Sequence, residues 1–285
     1  MLNNSMKPCG MGAQGSEAVW RVLNVSGGKD SVAMALTLHN EGVRIDEVIV
    51  AVLGVEFPSV LRAVDKLAGI LQGVKFTEIT VPFVEGLEKY GWPSSRSRWC
   101  TRQKVDKIKK YLYQDKGRVV EECIGFAKGE EHRAERNFER TVSFPLIERG
   151  ITEERALAIC REHGFLWDHL YDALPRLSCY CCPLGGIQQA RVVYHERKGL
   201  WEEMCYLDGL SAKTYLMDWS VEKLNRRFYM EDVGGVTRKR KPRNKTFEQW
   251  EAEVLERVRR EAVHRERECA VSCTPRFTQE AKEAK

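Results

Sequence analysis

Residues 21–25 (RVLNV) form an apolar, β-branched run, and residues 26–31 (SGGKDS) end it with two adjacent glycines. Directly afterwards Val32, Ala35, Leu36 and His39 recur at helical spacing over residues 31–41. A strand that passes through a glycine turn straight into a helix is the first half of a parallel strand–helix–strand unit. The alternation continues. Residues 47–53 (EVIVAVL) suit a strand covered on both faces. Residues 59–71 return to helical spacing through Val60, Val64, Leu67, Ala68 and Leu71, and residues 75–81 (KFTEITV) alternate like a strand. A helix is predicted over 101–113, and residues 118–126 (RVVEECIGF) read as another buried strand. Gly42 stands where the C-terminal cap of the first helix belongs. This order predicts an α/β fold, a doubly wound and mostly parallel sheet. In such sheets ligands bind beyond the carboxyl ends of the strands, and SGGKDS occupies such an end.

The chemistry of SGGKDS matches that position. Gly27 and Gly28 let backbone N–H groups approach a ligand closely. The helix after them starts with unpaired N–H groups and a partial positive charge. Ser26 and Ser31 add hydroxyl donors and Lys29 a point charge, so the segment describes an anion pocket of pyrophosphate size. Asp30 repels phosphate, and is read as a helix-dipole partner or a ligand for a bridging Mg²⁺. The spacing excludes a Walker loop, which needs more residues between its first glycine and its Gly-Lys-Ser/Thr end.

The second half reads differently. Thr152 is a predicted N-cap for a helix over 153–163, with Glu153 and Glu154 at its positive end and Gly164 after it. A cysteine cluster, SCYCCPLGG, occupies 178–186, and residues 187–230 read as helical and aromatic-rich. Residues 237–245 (TRKRKPRNK) carry six Lys/Arg, and Thr246 then opens a long charged helix to about 267, with Gln249 completing a capping box. The expected organisation is a loose lead-in over 1–17, a nucleotide-binding α/β domain over 18–186 ending in the cysteine cluster, and a helical, basic region over 187–285. The net charge of +5 over 285 residues is modest, so the basic tract matters more than the sum. It permits a nucleic-acid partner, but without interleaved aromatics it does not indicate base stacking. No apolar run has the length of a membrane span, and the N-terminus lacks the plan of a signal peptide. The expectation is a cytoplasmic protein with no membrane partner.

SGGKDS resembles the PP-loop, Ser-Gly-Gly-X-Asp-Ser, of the N-type ATP pyrophosphatases and the phosphoadenosine phosphosulfate (PAPS) reductase family. Every fixed position matches, at Ser26, Gly27, Gly28, Asp30 and Ser31. GVEFP at 54–58 is similar to the family's Gly-X-Glu-Phe-Pro, RWCTRQK at 98–104 to its Arg-Trp-Cys-Thr segment, and SFPLIERGITEE at 143–154 to its Pro-Leu segment. CIGFAKGEEHRAERN at 123–137 is similar to the Ile-Gly-X-Arg-X-X-Glu-Ser-X-Arg segment, with Gly125, Glu130, Glu131 and Arg133 the nearest equivalents and departures at Ala127 and His132. The likeness spans about residues 20–186. It implies an adenosine nucleotide, ATP or PAPS, held with Mg²⁺ by Ser26, Gly27, Gly28, Lys29, Asp30, Ser31, Gly54, Glu56, Gly125 and Arg133, with Lys29 and Asp30 as the catalytic pair. Arg98, Arg102 and Lys104, with Arg96, are candidates to close on phosphate or sulfate.

Ten cysteines in such a chain suggest metal, redox or core roles rather than disulfides. Cys179 and Cys182 have C-x-x-C spacing, which lets two thiolates reach one metal. The resemblance makes Cys100 the third candidate ligand, with Cys181 or Cys205 as the fourth. In related thiolation enzymes such a set holds a 4Fe-4S cluster; Zn²⁺ and plain buried thiols are the alternatives. Cys9, Cys123 and Cys160 read as structural or incidental. A working PAPS reductase has Glu-Cys-Gly-X-His near its C-terminus. Here ECAVSC (268–273) keeps only Glu268 and Cys269, and losing the histidine removes a means of lowering the thiol pKa.

The expected activity is therefore that of an ATP-using PP-loop enzyme that activates a substrate with release of pyrophosphate, for sulfur transfer from a sulfur donor or thiol reductant, with nucleic acid a candidate acceptor. The alternatives are a sulfonucleotide reductase forming sulfite and a nucleotide-binding protein without turnover.

Overall fold

The computed structural model describes residues 19–114, 119–135, 140–234 and 244–272, with side chains described up to 263. The lead-in with Cys9, residues 237–243 of the basic tract, the Cys269 side chain and Cys273 lie outside the described residues.

The chain divides into two compact units, the first reaching Gln189 and the second starting at Ala190. In the first unit β1 (Trp20–Asn24) leads through SGGKDS into α1 (Lys29–Asn40). Then come β2 (Glu47–Val52), α2 (Pro58–Ile70), β3 (Lys75–Thr80), α3 (Phe83–Tyr90), α4 (Trp99–Leu112) and β4 (Val120–Ile124). Short elements follow: α5 (Glu131–Ala134), β5 (Val142–Ser143) and α6 (Pro145–Glu148). The unit closes with α7 (Glu153–Glu162), a 3-10 turn over Trp167–His169, α8 (Leu170–Ala173) and the start of α9 (Gly186–Glu196). The sheet is parallel throughout, in the order β3-β2-β1-β4-β5. The protein is thus a doubly wound α/β fold with a helical second unit.

The elements form for the reasons legible in the sequence. Val22, Leu23, Val48 and Ile49 are fully buried, as a centrally placed parallel strand pair requires. Helix α1 is buried along almost its whole length, from Lys29 through Leu38, because it lies between the sheet and α7. Gly42 has φ +69° and follows α1 as expected. Thr152 caps α7, its Oγ1 accepting from the Arg155 N–H.

Because β1 is flanked by β2 on one side and β4 on the other, the strand order reverses direction at β1. The crevice at that reversal, above the carboxyl ends of β1 and β4, is where such sheets take ligands. Asn24 pairs with Ile124 at this edge, so SGGKDS and the chain leaving β4 emerge side by side.

The second unit contains the rest of α9, α10 (Lys198–Leu210), α11 (Val221–Gly234) and α12 (Phe247–Ser272). Its core holds Trp201, Met204, Leu224, Phe228 and Met230. Arg191 and Arg227 share Glu231 in a buried ion network. The capping box at α12 is formed: Thr246 N donates to Gln249 and Gln249 N to Thr246 Oγ1. No helix among the described residues is long and apolar enough to cross a membrane.

Candidate phosphate-binding site

Gly27 takes φ +77°, and a Cβ there would lie 2.7 Å from the Val60 carbonyl oxygen, so the turn admits only glycine. Ser26 N donates to Ser31 Oγ at 3.1 Å, and Ser31 Oγ donates to the Gly28 carbonyl at 3.0 Å. The two serines therefore hold the loop's shape besides offering hydroxyls. The first intrahelical bond is Val32 N to Gly28 O. The amides of Asp30 and Ser31 have no protein acceptor among the described residues, and the Lys29 amide donates to the Tyr171 hydroxyl at 2.8 Å. This is the open, positive end of a twelve-residue helix.

A cavity of about 320 Å³ opens at this point, lined by Asn24, Ser26, Gly28, Lys29, Asp30, Ser31, Ile124, Gly125, Phe126, Glu130, Arg133, Tyr171, Arg176 and Leu177. That volume lies in the range of small-ligand sites. Gly125 is there because β4 must leave the sheet against the loop: a Cβ would sit 2.9 Å from Asp30 O and from Ser31 Cα, both backbone atoms.

The charges differ from the simple expectation. The Lys29 ammonium is buried and is paired with Glu153 at 2.7 Å and Asp30 at 3.1 Å. Burial works to lower its pKa, but the hydrogen bonds and charges of Glu153 and Asp30 outweigh it and hold the lysine above its ordinary value. Asp30 is raised: burial dominates over the pull of Lys29, and Glu153 and Glu130 add to the rise. Asp30 Oδ1 and Asn24 Oδ1 are buried without hydrogen-bond partners beside the cavity. An unpaired carboxylate oxygen is the donor that Mg²⁺ takes, so Asp30 fits the bridging-metal reading. The Lys29 side chain is already engaged by two carboxylates.

Tyr171 is fixed from a third direction. Trp167, Asp168 and His169 all have left-handed backbone angles (φ 47°, 53° and 61°), a conformation non-glycine residues adopt only at a cost. The segment is held in place by Trp167 Nε1 donating to Gly27 O at 2.8 Å, by the Arg62–Asp168 ion pair, and by the edge-on Trp167–Tyr171 contact. Burial pushes the Tyr171 phenol well above its ordinary pKa, so it stays a neutral hydroxyl.

The remaining predicted residues gather elsewhere. Glu56 and Cys179 form an isolated antiparallel bridge, flanked by Phe57 N to Ser178 O and Tyr180 N to Val55 O. The Glu56 carboxylate accepts from Leu53 N, Gly54 N and Lys104 Nζ. The buried Glu56 thus ties exposed Gly54 and half-buried Lys104 into a polar knot that does not line the loop cavity. Arg96, Arg98 and Arg102 are exposed at the start of α4.

Of the candidate ligands, Cys182 feels the charge of Cys100, Cys179 that of Cys182, and Cys181 that of both Cys179 and Cys182. Among the described residues no three His, Cys, Asp or Glu side chains are grouped to hold one ion. The Cys181 side chain is fully buried, and burial holds its thiol well above the usual range. Cys179 is pushed up to about 12 by burial, then by the Glu56 charge beside it. Cys205 lies exposed on α10 in the second unit. Among the described residues these cysteines are not gathered into a formed 4Fe-4S or Zn²⁺ site.

The sequence did not single out Asn24, Phe126, Tyr171 or Arg176. Asn24 ends the strand that leads to the loop and had a local signal. Tyr171 and Arg176 had none, being brought in from more than a hundred residues away.

No protein family and no curated protein sequence matches the chain. Among solved structures it is similar to the U34-tRNA thiolase NcsA from Methanococcus maripaludis, described with its 4Fe-4S cluster, at 13% identity and a TM-score of 0.41 over 67% of this chain and 71% of that one. It is also similar to a predicted subunit of tRNA methyltransferase from Methanocaldococcus jannaschii, at 16% identity and a TM-score of 0.30 over 51% of this chain and 89% of that one. The functional reading rests on the chain's own loop and cavity.

Proposed function

We propose that this chain is a PP-loop enzyme that binds an adenosine nucleotide at residues 26–31 and activates an acceptor with release of pyrophosphate. The observation that carries the reading is the open N-terminus of α1. The amides of Asp30 and Ser31 point out of the helix start with no protein acceptor, in a glycine turn at the strand-order reversal, beside an unpaired Asp30 oxygen.

In the proposed reaction an acceptor nucleophile attacks the α-phosphorus of ATP. The bond from that phosphorus to its bridging oxygen breaks, and its electron pair leaves with pyrophosphate, while the acceptor's proton passes to water. The loop amides and Ser31 hold the departing phosphates and accept their growing charge. Asp30 would hold Mg²⁺ through its unpaired oxygen, and the ion would supply charge neutralisation on the phosphates. Arg133 adds a guanidinium for a phosphate oxygen. Sulfur transfer, with a nucleic acid as acceptor, is the proposed use of the activated product; the basic tract at 237–245 supports it by charge.

The test is incubation with Mg²⁺, candidate nucleic acids and either ATP or PAPS. AMP and pyrophosphate from ATP are expected. Sulfite from PAPS without pyrophosphate from ATP would replace this reading by sulfonucleotide reduction. Nucleotide binding with no product from either would leave a binding protein.

A further inference from the structure

The charges around the cavity are unequally divided. At the loop, one ammonium, Lys29, faces two carboxylates, Asp30 and Glu153. On the β4 side the ratio is reversed. One carboxylate, Glu130, faces two guanidiniums: Arg133 on Oε1 at 2.5 Å and Arg176 on the same Oε1 at 3.4 Å. Glu130 is buried, and its Oε2 is already taken by the Ala127 amide at 3.2 Å. The excess positive charge therefore lies on the β4 side with the arginines, while the loop side carries an excess carboxylate.

The two arginines are held differently. Arg133 lies over the Phe126 ring at 4.0 Å, and Phe126 is stacked on Phe144, so its plane is fixed from below. Arg176 has the longer contact with Glu130, and its side chain is 69% exposed. Its guanidinium has donors to spare, and it lines the same cavity as Ser26 and Ser31.

We infer that Arg133 and Arg176 form an anion subsite beside the loop, and that Arg176 is the arm that passes from Glu130 to a phosphate of the ligand. The ligand class is a phosphate ester carrying more charge than the loop amides alone neutralise. A distal phosphate of the nucleotide is the favoured source, because loop and arginines share one cavity; a phosphate of the acceptor is the other. The inference rests on the proposed nucleotide reading.

Binding of ATP, adenosine, inorganic pyrophosphate and a single-stranded RNA oligonucleotide is measured for the wild type, Arg176→Gln and Arg176→Lys, with thermal melting as the folding check. Arg176→Gln is expected to weaken ATP about tenfold or more, the scale of a charged hydrogen bond, with adenosine and the melting temperature unchanged. Arg176→Lys should recover part of the loss. Unchanged ATP with RNA weakened about tenfold would assign the subsite to the acceptor's phosphate. Equal affinity of Arg176→Gln for ATP, pyrophosphate and RNA would overturn the subsite, as would an equal loss for adenosine. If the wild type binds pyrophosphate but not ATP, the nucleotide reading falls and the pyrophosphate affinity of Arg176→Gln decides the subsite. Wild type that binds none of the phosphate ligands would overturn both.

Discussion

The phenol oxygen of Tyr171 accepts a hydrogen bond from the backbone nitrogen of Lys29 at 2.8 Å, across 142 residues of chain. It occupies one donor of the helix start that the loop otherwise leaves open. Its own hydrogen is free to donate toward the cavity it lines, and its raised pKa keeps that hydrogen in place. Tyr171→Phe removes both bonds. It should weaken ATP several-fold and destabilise the protein by about 1 kcal/mol, while adenosine affinity stays unchanged. Calorimetric titration and thermal melting check this; an unaltered ATP affinity would remove Tyr171 from the site.

Gly125 shows how little room the loop has. A methyl group there meets Asp30 O and Ser31 Cα at 2.9 Å, and backbone cannot step aside as a flexible side chain can. Gly125→Ala should cost about 1–3 kcal/mol and displace the α1 start, abolishing pyrophosphate release. Wild-type activity in this variant would mean that β4 does not press on the loop.

Asp30 gives a pH prediction. Its folded pKa is raised above the ordinary 3.8, chiefly by burial. Such a group contributes stability when protonated, below its unfolded pKa, and loses that contribution as pH rises through the folded value. At neutral pH the ionised carboxylate is therefore a cost to the ligand-free fold. Asp30→Asn should melt higher than wild type near pH 7 and lose that advantage as the pH falls toward 4, while pyrophosphate release disappears. A variant that melts lower at neutral pH would show that the Lys29 pairing outweighs burial.

The seven cysteines with described side chains can be ranked by exposure. Cys205 is exposed, Cys100 and Cys182 are half-buried, and Cys123, Cys160, Cys179 and Cys181 are buried. Among these seven, in the native protein, a maleimide should label Cys205 first and Cys100 and Cys182 more slowly. The buried four should react only after denaturation, as peptide mass spectrometry will read. Rapid native labelling of Cys181 would contradict the packing around the SCYCC segment.

Much of the sheet was legible. Short apolar, β-branched runs alternating with helical segments read as buried parallel strands, so β1, β2 and β4 were readable within a residue or two. Helices α1 and α2 followed from their apolar spacing, α7 from its Thr152 cap and the acidic first turn, and the Thr246–Gln249 box from its residue types. Helix α3 was not foreseen, since FVEGLEKY is short and contains a glycine. That glycine is needed because the Trp99 ring packs where its Cβ would be. The strand β5, two residues long, carries too little pattern to be seen. The C-x-x-C spacing suggested a metal, but spacing says nothing of whether the sulfurs face one point; it is the fold that brings Cys100 within reach of Cys182.

The sequence by itself determined the scaffold and the place of the phosphate loop, because backbone freedom at Gly27 and apolar periodicity are local properties. Only the tertiary structure decided how the loop is charged. Whether Lys29 is free or paired depends on Glu153, 124 residues away, and the capping hydroxyl and second guanidinium come from Tyr171 and Arg176. Coulomb interactions act through space at a few ångströms, and sequence separation does not report that distance.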